Sequence, residues 1–214
     1  MRYTKEHAEE VRRRLISEGG RQVKERGVAG AGVDGIARGL GLTGAALYSH
    51  FESKEQLLSV ILAEELGATA RRLFAGHVSL DDIFTRYLSL GHARSAARGC
   101  ALPAITSDIA RGSDELRAAF STGFSEIVDA VDRQLTNREL ALSTLATAVG
   151  AVAIARALPS DAAATELLTA ARNLIATSLP RASAPAAKSG NKRPRKAVKK
   201  PSKRAAARAR NKRP

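Results

Sequence analysis

The first part of the chain carries an apolar stripe at helical spacing. The stripe consists of Val11, Leu15, Gly19 and Val23. This four-residue interval predicts a helix over residues 6–26 that buries one face, and Gly27 is expected to end it. Gly19 and Gly20 inside a helix each cost about 1 kcal/mol relative to Ala. Their presence indicates either close backbone packing or a pliable helix.

Residues 33–51 hold two shorter helical patterns on either side of a glycine-containing turn. The positions expected to face the core are Ile36, Ala37, Leu40, Leu47 and Phe51. Gly41 can end the first helix and Thr43 can cap the second. This layout is that of a helix-turn-helix, whose second helix enters the major groove of DNA. The pattern therefore predicts a protein that binds double-stranded DNA.

The pattern stays helical to about residue 180, so the predicted fold class is all-α. A capping box formed by Ser53 and Gln56 opens a helix that reaches Phe74. Later helices are predicted over residues 79–97, 104–111, 114–135, 139–158 and 165–179, with a break over 99–103. A second capping box, Thr136 with Glu139, opens the 139–158 helix. That helix is apolar on nearly all sides and needs cover on more than one, as at a subunit interface.

The net charge of +14 belongs to the C-terminal tail. Of 35 basic residues, fourteen lie in 181–214 without any acidic residue, and the other basic residues balance the 21 acidic ones. With few large apolar side chains, the tail is predicted to be disordered. Its charge favours nucleic acid as a partner, because basic clusters release counterions on binding polyanions. A solubilising role and attachment to a membrane surface are the weaker alternatives.

The chain shows no targeting or membrane pattern. Cys100 is the single cysteine, which excludes an internal disulfide and fits a reducing compartment. The N-terminus has no apolar signal region, and no run approaches the roughly 18 apolar residues of a spanning helix. We therefore expect a cytoplasmic, nucleoid-associated protein with no membrane partner.

Enzyme motifs are missing from the sequence. No P-loop, HExxH motif or nucleophile elbow occurs, and the four histidines have no metal-ligand spacing. Neither an enzyme nor a metal or cofactor site is expected.

The segment 12–58 resembles the N-terminal domain of the TetR/AcrR family of one-component transcriptional regulators. It carries the ERG motif, then a hydrophobic-Asp-x-Ile-Ala helix, then Leu-Thr-x-x-x-Leu-Tyr-x-His-Phe-x-x-Lys-Glu. The resemblance implies a three-helix DNA-binding domain over 1–75, with its helix-turn-helix at about 32–51. It also implies an all-helical effector-binding and dimerisation domain over 76–180, which the tail 181–214 follows. Such a protein binds a palindromic operator as a homodimer.

The resemblance assigns DNA contacts to particular positions. The predicted DNA-binding residues are Gly32, Val33, Thr43, Gly44, Ala45, Ala46, Tyr48, Ser49, His50 and Lys54. Residues 43–46 start the recognition helix, where base edges are met, and the side chains of Tyr48, His50 and Lys54 are expected at phosphates or the groove. The alternative to DNA contact is that these three side chains only pack against the protein or are exposed to solvent. Small side chains at 44–46 leave few base-contacting donors, so DNA shape and the tail must contribute more.

A second resemblance concerns residues 98–120. They are similar to a block in a TetR subgroup that includes repressors responsive to electrophiles and N-ethylmaleimide, and Cys100 occupies the position of that group's cysteine. Cys100 is thus a possible sensing thiol, with a pKa lowered by the helix that follows. The alternative is a small buried core residue.

An effector pocket cannot be assigned from spacing alone. The apolar candidates are Phe84, Leu88, His92, Phe120 and Phe124, although such a stripe also suits plain core. The predicted function is a ligand-responsive regulator, in the family's usual mode a repressor, released from DNA by a small molecule or an electrophile. The 53–74 helix joins the two domains and is expected to transmit effector binding to the recognition helices. The alternative is an architectural protein that coats DNA through its tail.

Overall fold

The computed structural model describes residues 5–74 and 78–179. The predictions for the tail lie outside this part. The described residues form ten α-helices and a 3-10 turn, without a strand, so the predicted all-α fold is confirmed. The helices are α1 (Lys5–Gly30), α2 (Val33–Arg38), α3 (Gly44–Leu47), α4 (Lys54–Phe74), α5 (Leu80–Tyr87), α6 (Leu90–Arg94), α7 (Leu102–Ile109), α8 (Asp114–Leu135), α9 (Arg138–Ala157) and α10 (Asp161–Ser178).

Close packing of α1 on α4 explains the paired glycines. A Cβ at Gly19 would collide with the Ile61 side chain, and one at Gly20 with that of Glu65. Lys24 Nζ lies 2.9 Å from Glu65 Oε2, and both side chains are largely buried. A partly desolvated ion pair fixes the register of two helices because separating the charges would leave each of them unpaired. Gly19 and Gly20 therefore allow close packing of α1 on α4, which is the first of the two alternatives that the sequence left open.

The first helix is kinked where the sequence predicts its end. Gly27 has φ 74° and ψ 175°, a backbone conformation that L side chains rarely adopt, and one further helical turn reaches Gly30. α1 also packs against α7, far along the chain. The N-terminal helices thus contact α7 close to this kink.

α4 connects the N-terminal helices to the rest by packing along α8. Gly123 allows the approach, since a Cβ there would lie 2.6 Å from Leu66 Cβ. α9 in turn packs against α6, α7, α8 and α10. The core continues from Leu15 in α1 to Ile175 in α10 without interruption.

Four predicted helix boundaries are wrong, one of them that of α10, which begins at Asp161 after the Ser160 cap rather than at residue 165. The 79–97 segment divides into α5, α6 and a 3-10 turn, because the chain leaves helical dihedrals at Leu88 and Ser95. α7 begins at Leu102, so Pro103 lies in its first turn, where its missing N–H costs nothing. Thr136 adopts a left-handed conformation with φ 51°, and Asn137 caps α9 in its place.

α9 meets the length and composition of a membrane-spanning helix, with a mean hydropathy of 1.7, contrary to the expectation from sequence. α9 packs against four other helices, and 39% of the apolar window is buried. The neighbouring helices therefore cover only part of α9.

Candidate DNA interface and buried polar cluster

The turn between α2 and α3 has the geometry expected of a helix-turn-helix. α2 ends at Arg38, and Gly41, with φ 71°, lies in the turn that follows, where Leu42 N donates back to Ala37 O at 2.9 Å. The Thr43 hydroxyl accepts a hydrogen bond from Ala46 N at 3.3 Å. α3 itself is only four residues long. Three-residue turns continue it, with His50 N donating to Leu47 O at 2.9 Å. The predicted cap is confirmed, and the regular recognition helix is shorter than the sequence suggests.

The predicted DNA-binding residues all keep access to solvent. Thr43, Ala45, Tyr48, Ser49 and Lys54 are exposed, and Gly32, Val33, Gly44, Ala46 and His50 are half-buried. Leu47 and Phe51 are buried, as predicted for core positions. The side chain of Tyr48 is 53% exposed, which is unusual for an aromatic residue that only packs. The stretch from Thr43 to His50 therefore presents a surface that a duplex can reach.

Asp34 lies against the start of the recognition helix. A Cβ at Gly44 would collide with Asp34 Oδ1. Residues 32–54 contain two acidic and two basic side chains, and Asp34 is one of the exposed acidic ones. The helix-turn-helix segment is therefore formally close to neutral.

Two side chains of α1 that sequence reasoning missed hold the helix-turn-helix in place. Arg12 Nη1 donates to His50 O at 2.6 Å, and the guanidinium lies 4.2 Å from the Phe51 ring centroid. Gln22 is buried and donates to Gly35 O at 3.0 Å. Their partners are distant in sequence, so no periodicity could reveal them.

The five predicted pocket residues do not enclose a common cavity in the described part of the chain. Phe84 and Leu88 are buried core, and Phe120 stacks on Phe124 with ring centroids 5.9 Å apart. His92 packs against Tyr87, at 4.4 Å between ring centroids. A cavity of about 160 Å³ lies elsewhere, lined by Gly67, Ala70, Arg71, Glu126, Asp129 and Arg133.

Cys100 is buried, at 7% exposure, in what we call the polar cluster: Tyr87, His92, Cys100 and Arg156. Burial raises the pKa of the Cys100 thiol. The backbone N–H of Leu102, at the start of α7, acts in the opposite direction and is outweighed. The pKa therefore moves opposite to the sequence expectation, because that expectation counted the helix terminus and not the burial.

The hydrogen bonds of the polar cluster fix the tautomer of His92. Cys100 N donates to His92 Nε2 at 3.3 Å, so Nδ1 carries the proton and donates to Tyr87 O at 2.7 Å. Burial lowers the pKa of His92, and the charge of Arg156 adds to this. His92 is thus a neutral imidazole that links α5, α6 and the start of α7.

α7 carries a contact from this region to the kink in α1. Asp108 Oδ2 accepts a hydrogen bond from Ala29 N at 3.3 Å, and a Cβ at Gly27 would collide with the same oxygen. α2 starts three residues after Gly30. A shift of α7 would therefore also displace the segment that leads into the helix-turn-helix.

Large exposed apolar side chains mark two surfaces of the described residues. They are Tyr48 on the helix-turn-helix, Leu142 and Ile154 on α9, and Leu174 on α10, with exposures of 53%, 41%, 55% and 59%. The outer face of α9 also carries small residues such as Ala146 and Ala157. α9 and α10 pack against each other, and exposed apolar side chains on adjacent helices are typical of a surface that binds a partner.

Residues 15–61 match the family model described as bacterial regulatory proteins, tetR family. The match extends from α1 into α4 and contains the whole helix-turn-helix. No curated protein matches the chain.

Solved structures of transcriptional regulators share the fold. The reduced form of NemR from E. coli is 19% identical, with a TM-score of 0.68, over 82% of this chain and 100% of that one. A TetR transcriptional regulator from Chloroflexus aurantiacus is 23% identical, with a TM-score of 0.64, over 80% and 95%. FadR from Bacillus subtilis, in complex with stearoyl-CoA, is 16% identical, with a TM-score of 0.57, over 78% and 99%.

Proposed function

Because the chain belongs to the TetR family of bacterial regulatory proteins, we propose that it is a repressor that binds a palindromic operator as a homodimer and is released by a small molecule. The observation that carries the proposal is the exposed stretch from Thr43 to His50, which Arg12 braces by donating a hydrogen bond to His50 O. Half-sites about one helical turn apart, some 34–36 Å, would suit the two recognition helices.

Homodimerisation is supported by the apolar outer faces of α9 and α10. Leu142, Ile154 and Leu174 would be covered by the same residues of a second copy, since a two-fold interface is self-complementary. A four-helix arrangement of α9 and α10 from both copies would also explain why α9 is apolar on nearly all sides.

The effector is proposed to act through helices that join the two regions. α4 holds α1 through the Lys24–Glu65 pair and α8 through Ser59, whose hydroxyl donates to Glu115 Oε1 at 3.1 Å. α7 supplies a second connection through Asp108 and Ala29. An effector that prefers one arrangement of these helices would change the spacing of the recognition helices.

Cys100 is proposed as a sensing thiol whose reactivity is restricted by its burial. Since its thiol is buried and its pKa raised, reaction with an electrophile requires local opening of the helices around it. Thiol labelling of the folded protein should therefore be slow and should accelerate in denaturant. Rapid labelling of the native protein would contradict this restriction, and labelling without DNA release would remove Cys100 as a sensor.

The basic tail is proposed to add non-specific affinity that the weakly charged helix-turn-helix lacks. Replacing its basic residues with Gln should reduce the slope of log K against log salt concentration, where K is the association constant for DNA. An unchanged slope would show that the tail does not contribute to DNA binding.

Selection of genomic fragments by the purified full-length protein at physiological salt tests the proposed function. We expect enrichment of a palindrome, and lost enrichment in a Tyr48→Ala variant that still folds. Enrichment without symmetry or sequence preference would favour an architectural protein instead.

A further inference from the structure

Arg156, near the C-terminal end of α9, has unused hydrogen-bonding capacity in the polar cluster. Its Nε donates to Ala93 O at 3.2 Å, whereas Nη1 and Nη2 are buried and have no acceptor among the described residues. No ion pair joins it to a carboxylate in the part of the chain that the structure covers. Guanidinium groups stay charged in proteins, so a buried, unpaired one indicates a missing anionic partner.

Tyr87 adds a further unused donor. Its hydroxyl is buried, and the one side chain that it faces as a donor is the Cys100 thiol, which is a weak acceptor. Gly99 brings the backbone close to the same point, since a Cβ there would lie 3.3 Å from Arg156 Nη2 and 2.8 Å from His92 Nε2. His92 Nε2, the ring's acceptor, is already used by Cys100 N.

The unsatisfied groups of the cluster thus all carry hydrogens to donate. They are Nη1 and Nη2 of Arg156 and the Tyr87 hydroxyl, and the two side chains are close enough for the charge of Arg156 to act on Tyr87. Their complement is a group that only accepts hydrogen bonds and carries negative charge. The two Nη nitrogens of one guanidinium form a planar fork whose spacing matches the two oxygens of a carboxylate.

We propose that the polar cluster is a binding site for the carboxylate of a small organic acid, held end-on by Arg156 with Tyr87 as the third donor. Tyr87, His92 and Arg156 are each half-buried as residues, whereas their three donor atoms are covered, so an acid reaches the site only when the side chains over the cluster move apart. The bound acid would supply the acceptors that the protein lacks.

Binding would also act on the rest of the fold. The cluster is built from the ends of α5, α6 and α9 and from the residue that leads into α7, and Asp108 of α7 contacts Ala29 beside the kink of α1. An acid at Arg156 would therefore bias the position of α7. This regulatory consequence rests on the proposed DNA-binding function, whereas binding of the acid does not.

Thermal unfolding of the full-length protein in acetate and butyrate tests the site, with ionic strength held constant by sodium chloride. The midpoint should rise with acid concentration up to about 50 mM, as for any ligand that binds only the folded state. The uncharged isosteres acetamide and butyramide should have no effect. Equal effects of acid and amide, or no response to either acid, would overturn the proposal.

Matched variants locate the site. Arg156→Met removes the charge but keeps the length of the side chain, so it should abolish the response. It should also unfold at the same or a higher temperature without acid, because an unpaired buried charge has gone. Arg138→Met, on the same helix, removes an exposed guanidinium paired with Asp129 and should respond like the wild type. A response retained in Arg156→Met would overturn the proposal.

Two further variants cover other outcomes. Should Arg156→Met fail to fold, Tyr87→Phe should still weaken acid binding by about tenfold, the loss expected for one hydrogen bond to a charged group. Unchanged affinity in Tyr87→Phe would then overturn the site. Cys100→Ser should keep the response, because the acid is bound and not attached to sulfur.

Fluorescence anisotropy on operator DNA separates this inference from the proposed function. If the protein binds operator DNA but its unfolding midpoint does not respond to acetate or butyrate, the proposed site is overturned and the proposed function is not. An acid response in a protein that binds no operator would support the site and contradict the function.

Discussion

The residues that position the functional surfaces make contacts across long stretches of sequence. Arg12 reaches His50, Gln22 reaches Gly35, and Asp108 reaches Ala29. Periodicity predicted the buried residues Leu47 and Phe51, because burial repeats with the helix. It could not predict polar side chains whose partners lie on other helices. Cys100 shows the same limit, since its pKa depends on burial that only the folded chain creates.

His92 should make stability depend on pH. Its pKa in the folded protein is lowered by burial from the ordinary value of 6.5, so the unfolded state takes up a proton first as the pH falls. Below about pH 6.5 the wild type should therefore lose stability, by at most about 1.4 kcal/mol per pH unit from this group. His92→Gln keeps an acceptor for Cys100 N and lacks the titration.

Urea unfolding of both proteins between pH 8 and pH 5 measures the effect. The stability difference, wild type minus His92→Gln, should decrease as the pH falls below about 6.5. A difference that is constant or increases toward acid pH would show that His92 is not held neutral.

At the scale of elements, the helices that carry strong amphipathic patterns were predictable and the short ones were not. The bounds of α4 and α8 follow from apolar spacing and from the caps Ser53 and Ser113. α5 and α6 were merged because their apolar residues stay in helical register across the break at Leu88. Both Thr136 and Asn137 are suitable caps for α9. Because Thr136 adopts a left-handed conformation, the side chain of Asn137 caps the helix.

Gly123 should be essential to the contact between α4 and α8. In Gly123→Ala, the new Cβ would lie 2.6 Å from Leu66 Cβ, an atom that can move only with its backbone. The helices must separate, so we expect a net destabilisation of about 1–3 kcal/mol despite the better helix propensity of Ala.

Gly91→Ala is the matched control. Nothing lies within 4 Å of its added Cβ, so it should be neutral or stabilising by up to about 1 kcal/mol. Chemical denaturation of both variants gives the comparison. Equal effects of the two substitutions would contradict close packing of α4 on α8.

For the whole molecule, the sequence predicted the all-α class, the family and the need of the 139–158 helix for cover, but not which apolar residues the folded chain leaves exposed. The helix-turn-helix could be predicted because its caps and core positions are local. The outer faces of α9 and α10 emerge only after folding, since helix periodicity does not say which apolar residues the core leaves uncovered. Leu174 illustrates this, as it lies in an apolar helix and yet is 59% exposed.

Charges on the outer face of α9 and α10 should prevent dimerisation. Ile154→Glu combined with Leu174→Glu would place two carboxylates of each copy in an apolar interface, which is strongly unfavourable. We expect a folded monomer by sedimentation velocity, with weakened operator binding. Ser121→Glu adds a charge to the exposed face of α8 and should leave the dimer intact. A dimer in the double variant would place the interface elsewhere.

The most direct test of the account is the affinity of the full-length protein for its selected palindrome, compared with a shuffled duplex of the same length and composition, at physiological salt. We predict a ratio above about 10³, with two copies bound to each palindrome, as for a sequence-specific regulator. A ratio near unity would contradict the claim that the stretch from Thr43 to His50 recognises an operator.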